Sequence, residues 1–327
     1  MKKTLKIIQI FLLASSLITT SLTAYAQAQT WPDKPIRLIN PFAPGGFGDT
    51  VARPLLDRLA QSLGQSIIVE SHGGANGTLA SNVVARSPAD GYTLLLANLG
   101  PIAISPALQP ATTLDPLKNF AAITQLVSGP LILLVHPEVP ANNLKELLEL
   151  ARKDPGKLSY GSVGAGSTTH LAGELLSQRA GIEWLHVPYK GAAPVITNLL
   201  GKQIDVGIVN ISLAKAYVDS GRLKPIAVTT LKRSAVMPDV PAIAELIPDF
   251  EVNPWWGLMA PIGTPQSVIE RIQNETIRLI QLPEVAERFR QSGLEPEGTT
   301  AVAFDARIRS DLKQWQDLAR TNKIVID

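Results

Sequence analysis

The chain contains no cysteine in 327 residues, which excludes disulfide staples and thiolate metal sites, so stability has to come from burial. It has only four histidines and no His-x-x-x-His pair, so no metal cluster is expected, and no cofactor. Net charge is also nearly absent: setting aside Lys2, Lys3 and Lys6 at the N-terminus takes the formal value from +2 to −1. A balance so close to neutral argues against nucleic acid or an anionic membrane surface as the main partner. The glycine-rich turns carry neither the Gly-Lys-Ser/Thr of a phosphate loop nor a Gly-x-Gly-x-x-Gly opening a helix. A Gly-x-Ser-x-Gly nucleophile elbow is missing as well.

At the N-terminus, the three lysines precede an apolar stretch over residues 7–17 and a small-residue end, Ala24-Tyr25-Ala26. This reads as an export signal, residues 1–26, with Ala26-Gln27-Ala28 offering a second cleavage choice. The apolar part falls short of the roughly 20 residues of a membrane span. No cysteine follows it to carry a lipid anchor. The expected location is the periplasm. The roughly 300 residues that follow are enough for a large core, and at that length a chain more often divides into two lobes than enlarges one.

Those residues repeat one pattern, strand, glycine-rich turn, helix. An apolar strand at 36–40 enters Pro-Phe-Ala-Pro-Gly-Gly-Phe-Gly-Asp at 41–49, and a helical stripe over 51–63 follows. A strand at 67–69 enters a second glycine turn at 71–78 before a helix at 79–86. The continuous apolar run 93–97 suits a strand buried on both faces of a parallel sheet, with Asn98 at its carboxyl end. A second series starts at about 124–136, strongly apolar over 131–135 and broken at 137–141, and continues with a helix over 144–151. A short strand at 158–160 then enters Gly-Ser-Val-Gly-Ala-Gly-Ser-Thr-Thr-His at 161–170, ahead of a helix at 171–179. A helix at 191–200 and a buried strand at 204–210 follow, and helical spacing returns at 265–280 and 303–318, where Trp315 reads as a packing residue.

Helix starts of this kind have open backbone N–H groups that attract anions, and ligands of open α/β sheets bind outside the carboxyl ends of the strands. Candidate ligand contacts are therefore Ala43, Gly45, Gly46, Phe47, Gly48 and Asp49 in the first turn and Asn76, Gly77 and Thr78 in the second. Asn98, Ser162, Gly166, Ser167, Thr168, His170, Lys190 and Asn210 complete the set. A small carboxylate suits such a site without a phosphate-binding lysine. Asp49 is expected to cap its own helix rather than touch an anion, and Ser167 or Thr168 to cap the later one. His170 either supports the loop or accepts a ligand hydrogen bond, and Lys190 either pairs with a carboxylate or lies solvated in a turn. Ser167, His170 and Asp49 could be assembled into a hydrolytic triad, but without an elbow the chain is expected not to be an enzyme.

Six segments in order resemble the Bug family, the extracytoplasmic solute receptors of tripartite tricarboxylate transporters: residues 41–49, Ala-Asp-Gly-Tyr-Thr-Leu-Leu at 89–95, Gly-Ala-Gly-Ser-Thr-Thr-His-Leu-Ala at 164–172, His-Val-Pro-Tyr-Lys-Gly at 186–191, Pro-Asp-Val-Pro at 238–241 and Trp-Gly-Leu-Met-Ala-Pro-Ile-Gly-Thr-Pro at 256–265. The resemblance runs from Trp31 nearly to the C-terminus. It implies an α/β fold, a two-lobed periplasmic binding protein (type II-like) with crossing hinge strands. Residues 27–126 and about 250–327 would form one lobe, and 127–249 the other. It also implies closure over a small organic acid, a di- or tricarboxylate or an aromatic acid, and a membrane permease as the partner of a monomer. Contacts would come mainly from the first glycine loop and the glycine-serine loop. A sensory module feeding a kinase and a secreted hydrolase are the competing readings. The chain departs from the family at 70–77, where Glu-Ser-His-Gly-Gly-Ala-Asn-Gly replaces the frequent Glu-Asn-Arg-Pro-Gly-Ala-Gly-Gly, and at Phe47, where a small hydroxyl residue is frequent.

Overall fold

A computed structural model describes residues 31–41, 47–73, 77–108 and 114–322; the side chains of Phe47 and Asn322 are outside the description. In the first sheet β1 (Ile36–Asn40), β2 (Ile67–Ser71) and β3 (Thr93–Asn98) run parallel. Helices α1 (Phe47–Leu63) and α2 (Thr78–Ala85) connect them. Val51, Leu55, Leu59 and Leu63, spaced at three to four residues, all lie in the core, as an amphipathic helix on a sheet requires. β3 is buried on both faces except at Asn98, which is why its sequence is apolar without alternation. After β3 come a π-turn at Gly100–Ile104 and a short helix at Ser105–Leu108.

The stretch at about 124–136 that opens the second series contains the end of one strand and the whole of another, in two different sheets. β4 (Phe120–Ser128) belongs to the first sheet and β5 (Leu131–Val135) to the second. Gly129 and Pro130 separate them, and Pro130 has no N–H with which to continue a ladder. Burial hides this switch from the sequence, because both strands are covered on both faces and the hydrophobicity never falls.

The second sheet has the order β7-β6-β8-β5-β9. α3 (Leu144–Lys153) leads into β6 (Ser159–Ser162), then α4 (Thr168–Ala180), β7 (Leu185–Pro188), α5 (Ala192–Leu200), β8 (Val206–Asn210), α6 (Ile211–Asp219) and β9 (Lys224–Val228). The chain then returns as β10 (Trp255–Pro261), antiparallel to β3 and β4. α7 (Gln266–Ile280), α8 (Pro283–Gln291), β11 (Glu295–Pro296) and α9 (Ala301–Asn322) close the chain, and the first sheet reads β11-β4-β10-β3-β1-β2. Elements at α6, α8 and β9 had no counterpart in the sequence reading.

Two stretches thus cross between the sheets, one around Gly129 and one around Pro254, and they are joined where they pass: Gly129 N–H donates to the Pro254 carbonyl at 2.7 Å. Helix α9 grips the second crossing. Trp255 Nε1 donates to Asp311 at 2.7 Å, Arg307 bonds Asp311, Glu251 and the Asn253 carbonyl, and Gln314 bonds the Glu251 carbonyl. Burial works against the Arg307 charge, but Asp311 and Glu251 outweigh it and hold its pKa above the ordinary arginine value. Trp315 is buried in the core, as its spacing suggested.

Candidate functional site

The turn from β6 into α4 is held by its own side chains. Gly166 takes a φ of 70°, a left-handed conformation that glycine adopts at little cost. Ser167 is the N-cap: its Oγ accepts from His170 N–H at 3.2 Å and donates to the Gly164 carbonyl at 2.6 Å. Thr169 Oγ1 accepts from Val163 N–H at 2.9 Å. What remains open are the amides of Thr168 and Thr169, the first two residues of a 13-residue helix, for which no described residue supplies an acceptor. Such amides carry the positive end of the helix dipole.

These groups face a cavity of about 270 Å³ that both sheets line. From the first sheet come Asn98 at the end of β3, Gly100, and Trp256 of β10; from the second come Leu131, Val163, residues 166–169, Ala192, Asn210 and Leu213; Pro254 belongs to the crossing. The carboxyl ends of β3, β6 and β8 therefore converge, as ligand sites of open α/β sheets do. Larger hollows lie elsewhere, about 490 Å³ between α4 and α9 for one, but none of the expected contact residues lines that groove.

Behind the loop, two imidazoles stack. The rings of His170 and His186 are 3.9 Å apart at 12°, with Tyr160 against His186 at 4.9 Å. His170 Nδ1 accepts from Gly166 N–H at 3.0 Å, and His186 Nε2 lies 2.7 Å from Ser162 Oγ. Accepting at Nδ1 puts the proton of the neutral His170 ring on Nε2, which points toward Glu174 at 3.8 Å. Tyr160 donates to the same carboxylate at 2.7 Å. Burial pushes both histidines down to about 4, with the neighbouring ring adding to the effect on His186.

The expected contact residues are accordingly divided. Asn98, Gly166, Ser167, Thr168 and Asn210 come together around the cavity. Ser162 does not join them, being fully buried under the loop. Nor does the ring of His170, whose Nδ1 holds Gly166. The Gly166 amide, expected to face a ligand, is turned inward to that ring. The triad arrangement is not formed either, since the Ser167 hydroxyl bonds the loop and not an imidazole.

Lys190 is exposed beyond β7 and does not line the cavity. Asn210 caps α6, its Oδ1 accepting from Ser212 and its Nδ2 donating to the Gly129 carbonyl. Gly48 and Asp49 lie in the first turn of α1, which starts at Phe47, and Asp49 meets Asn40 and Arg53. Gly77, at φ 88°, packs beside Pro41 and Pro101 and leads into Thr78 at the start of α2. Ala43, Gly45, Gly46 and Asn76 lie outside the described residues. The apolar wall of Leu131, Val163, Leu213, Pro254 and Trp256 was not anticipated. Its one legible signal is the Asn-Pro-Trp-Trp run at 253–256, an aromatic pair on the segment that returns between lobes.

Comparison with known proteins gives this cleft a context. Residues 51–324 match the model of the tripartite tricarboxylate transporter family receptor. The periplasmic binding protein BugD is 34% identical, with a TM-score of 0.72 over 90% of this chain and 99% of that one. Rpa4515 of R. palustris, solved with adipate, is 31% identical, with a TM-score of 0.76 over 90% and 99%. MatC (Rpa3494) of Rhodopseudomonas palustris, with bound malate, is 30% identical, with a TM-score of 0.72 over 88% and 99%. With the six sequence segments, the two crossed sheets and the family model in agreement, the chain belongs to the tripartite tricarboxylate transporter receptors, the Bug proteins.

Proposed function

We propose that the protein is an exported, periplasmic receptor that captures a small carboxylate between its lobes and presents the closed form to the membrane permease of a tripartite tricarboxylate transporter. Lobe one is built on the first sheet, up to Ser128 and again from Trp255, and lobe two on the second, from Leu131 to Val228, so the division falls at the crossings rather than at the expected 126/127 and 249/250. The observation that carries this reading is the start of α4, where the open amides of Thr168 and Thr169 face a cavity that both sheets line. A carboxylate accepts such hydrogen bonds strongly because it is ionised. The adipate and malate of the two R. palustris relatives support the ligand class.

Closure follows from where the contacts lie. A ligand touching both lobes binds the closed form better and shifts the population toward it, and the crossing segments around Gly129 and Pro254 are the places where the backbone can hinge. In this reading the protein performs no reaction, and its output is the joint surface created when the lobes meet. A thermal-shift screen of mono-, di- and tricarboxylates, followed by small-angle scattering with the tightest, tests it. Stabilisation by at least one acid together with a smaller radius of gyration is expected. A tight acid that left the radius unchanged would contradict capture by closure.

A further inference from the structure

Resting on the receptor reading above, we infer that the ligand is a carboxylate with a hydrocarbon body, and that the Trp256 wall selects against hydroxy acids. Among the described residues no charged side chain lines the cavity. The polar groups of those residues are gathered at the start of α4 and at Asn98 and Asn210. The amides of Thr168 and Thr169 can hold one carboxylate, and the Asn210 amide is engaged at both ends by Ser212 and the Gly129 carbonyl. Asn98 is the remaining lining amide, and its Oδ1 is buried without a partner, so it can serve one further polar group.

Besides the Ser167 and Thr168 hydroxyls at the start of α4, the described wall is apolar: Leu131, Val163, Ala192, Leu213, Pro254 and Trp256. Trp256 is 8% exposed, and its ring lies against the crossing so closely that a Cβ on Gly129 would meet it at 2.8 Å. A hydroxyl buried against this wall would leave its water hydrogen bonds unreplaced, a loss of roughly tenfold or more in affinity. A methylene placed there gains about fourfold. The volume of about 270 Å³ is just under the range of drug-sized pockets, about 300–1,000 Å³, and keeps the ligand small.

Calorimetry on the purified protein tests the inference with succinate and tartrate, which share a four-carbon dicarboxylate skeleton and differ by two hydroxyls. Adipate, benzoate, malate and citrate complete the set. At least tenfold tighter binding of succinate than tartrate is expected, with adipate and benzoate separating a chain from a ring. Leu213→Asn, at a half-exposed position, should reduce the succinate-to-tartrate ratio severalfold; Trp256→Ala should do so more strongly. Tartrate, malate or citrate binding as tightly as the hydrocarbon acids would overturn this inference and leave the receptor reading standing. Binding of none of the six would overturn both.

Discussion

His170 accepts the backbone N–H of Gly166 on its Nδ1 at 3.0 Å, so an imidazole, not a ligand, holds the turn that precedes the open amides of α4. The bond requires a neutral ring, because a protonated imidazole has no acceptor. Its burial favours that state.

Stability should therefore depend on pH. Both folded-state pKa values, about 4, lie below the ordinary histidine value of 6.5. Between those limits the unfolded chain binds more protons than the folded one, so stability is full above pH 6.5 and is lost as pH falls toward 4. For His170 the loss is on the order of 2–3 kcal/mol. Urea denaturation at pH 7.5 and 4.5 measures it. His170→Asn, whose amide oxygen can take the place of Nδ1, should flatten the profile while retaining the fold. Equal wild-type stability at both pH values would contradict the arrangement.

Gly129 should resist any side chain. Its Cβ would sit 2.8 Å from the Trp256 ring and 2.9 Å from Asn210 Nδ2, and neither neighbour is the free end of a flexible chain. Overpacking of this kind costs about 1–3 kcal/mol. Gly129→Ala should lower the unfolding midpoint and weaken ligand binding together, because the residue lies in the crossing and against Trp256 and Asn210, which line the cavity. Unchanged thermal unfolding would mean that the crossing has slack.

Asp311 should be among the most sensitive positions away from the cleft. It is 5% exposed, accepts from Trp255 Nε1, and neutralises Arg307 beside the second crossing. Removing one member of a buried ion pair strands the other, at about 3–5 kcal/mol. Asp311→Ala should show that loss in chemical denaturation, with the cavity residues untouched. A loss below about 1 kcal/mol would show the Arg307 charge to be adequately held by Glu251 alone.

The site was legible where local chemistry governs it. Ser167 follows three glycines and precedes an amphipathic run, so the cap and open helix start could be read from neighbours in sequence. Asn98 and Asn210 end apolar runs, which places them at strand ends. What could not be read depends on pairing across distance. The histidine stack exists because β6 and β7 register Tyr160 with His186, and nothing near residue 186 in sequence reveals that His170 will lie above it. Trp256 is buried on one side, and only the return crossing turns its other edge into a wall of the cavity. The break at Gly129 and Pro130 was hidden by hydrophobicity that continues through a change of sheet.

The central claim is that the Thr168 and Thr169 amides hold the ligand's carboxylate, and Thr168→Pro tests it most directly. Proline suits the first position of a helix, and Ser167, at φ −73° and ψ 160°, already has the extended conformation that a following proline demands. The substitution removes one N–H and leaves the helix intact, whereas Thr168→Ala removes the hydroxyl and keeps the N–H. Calorimetry with the tightest acid should show Thr168→Pro weakened roughly tenfold to a hundredfold, the range of a charge-assisted hydrogen bond of about 1.5–3 kcal/mol, and Thr168→Ala weakened far less. Wild-type affinity in a folded Thr168→Pro variant would contradict the account.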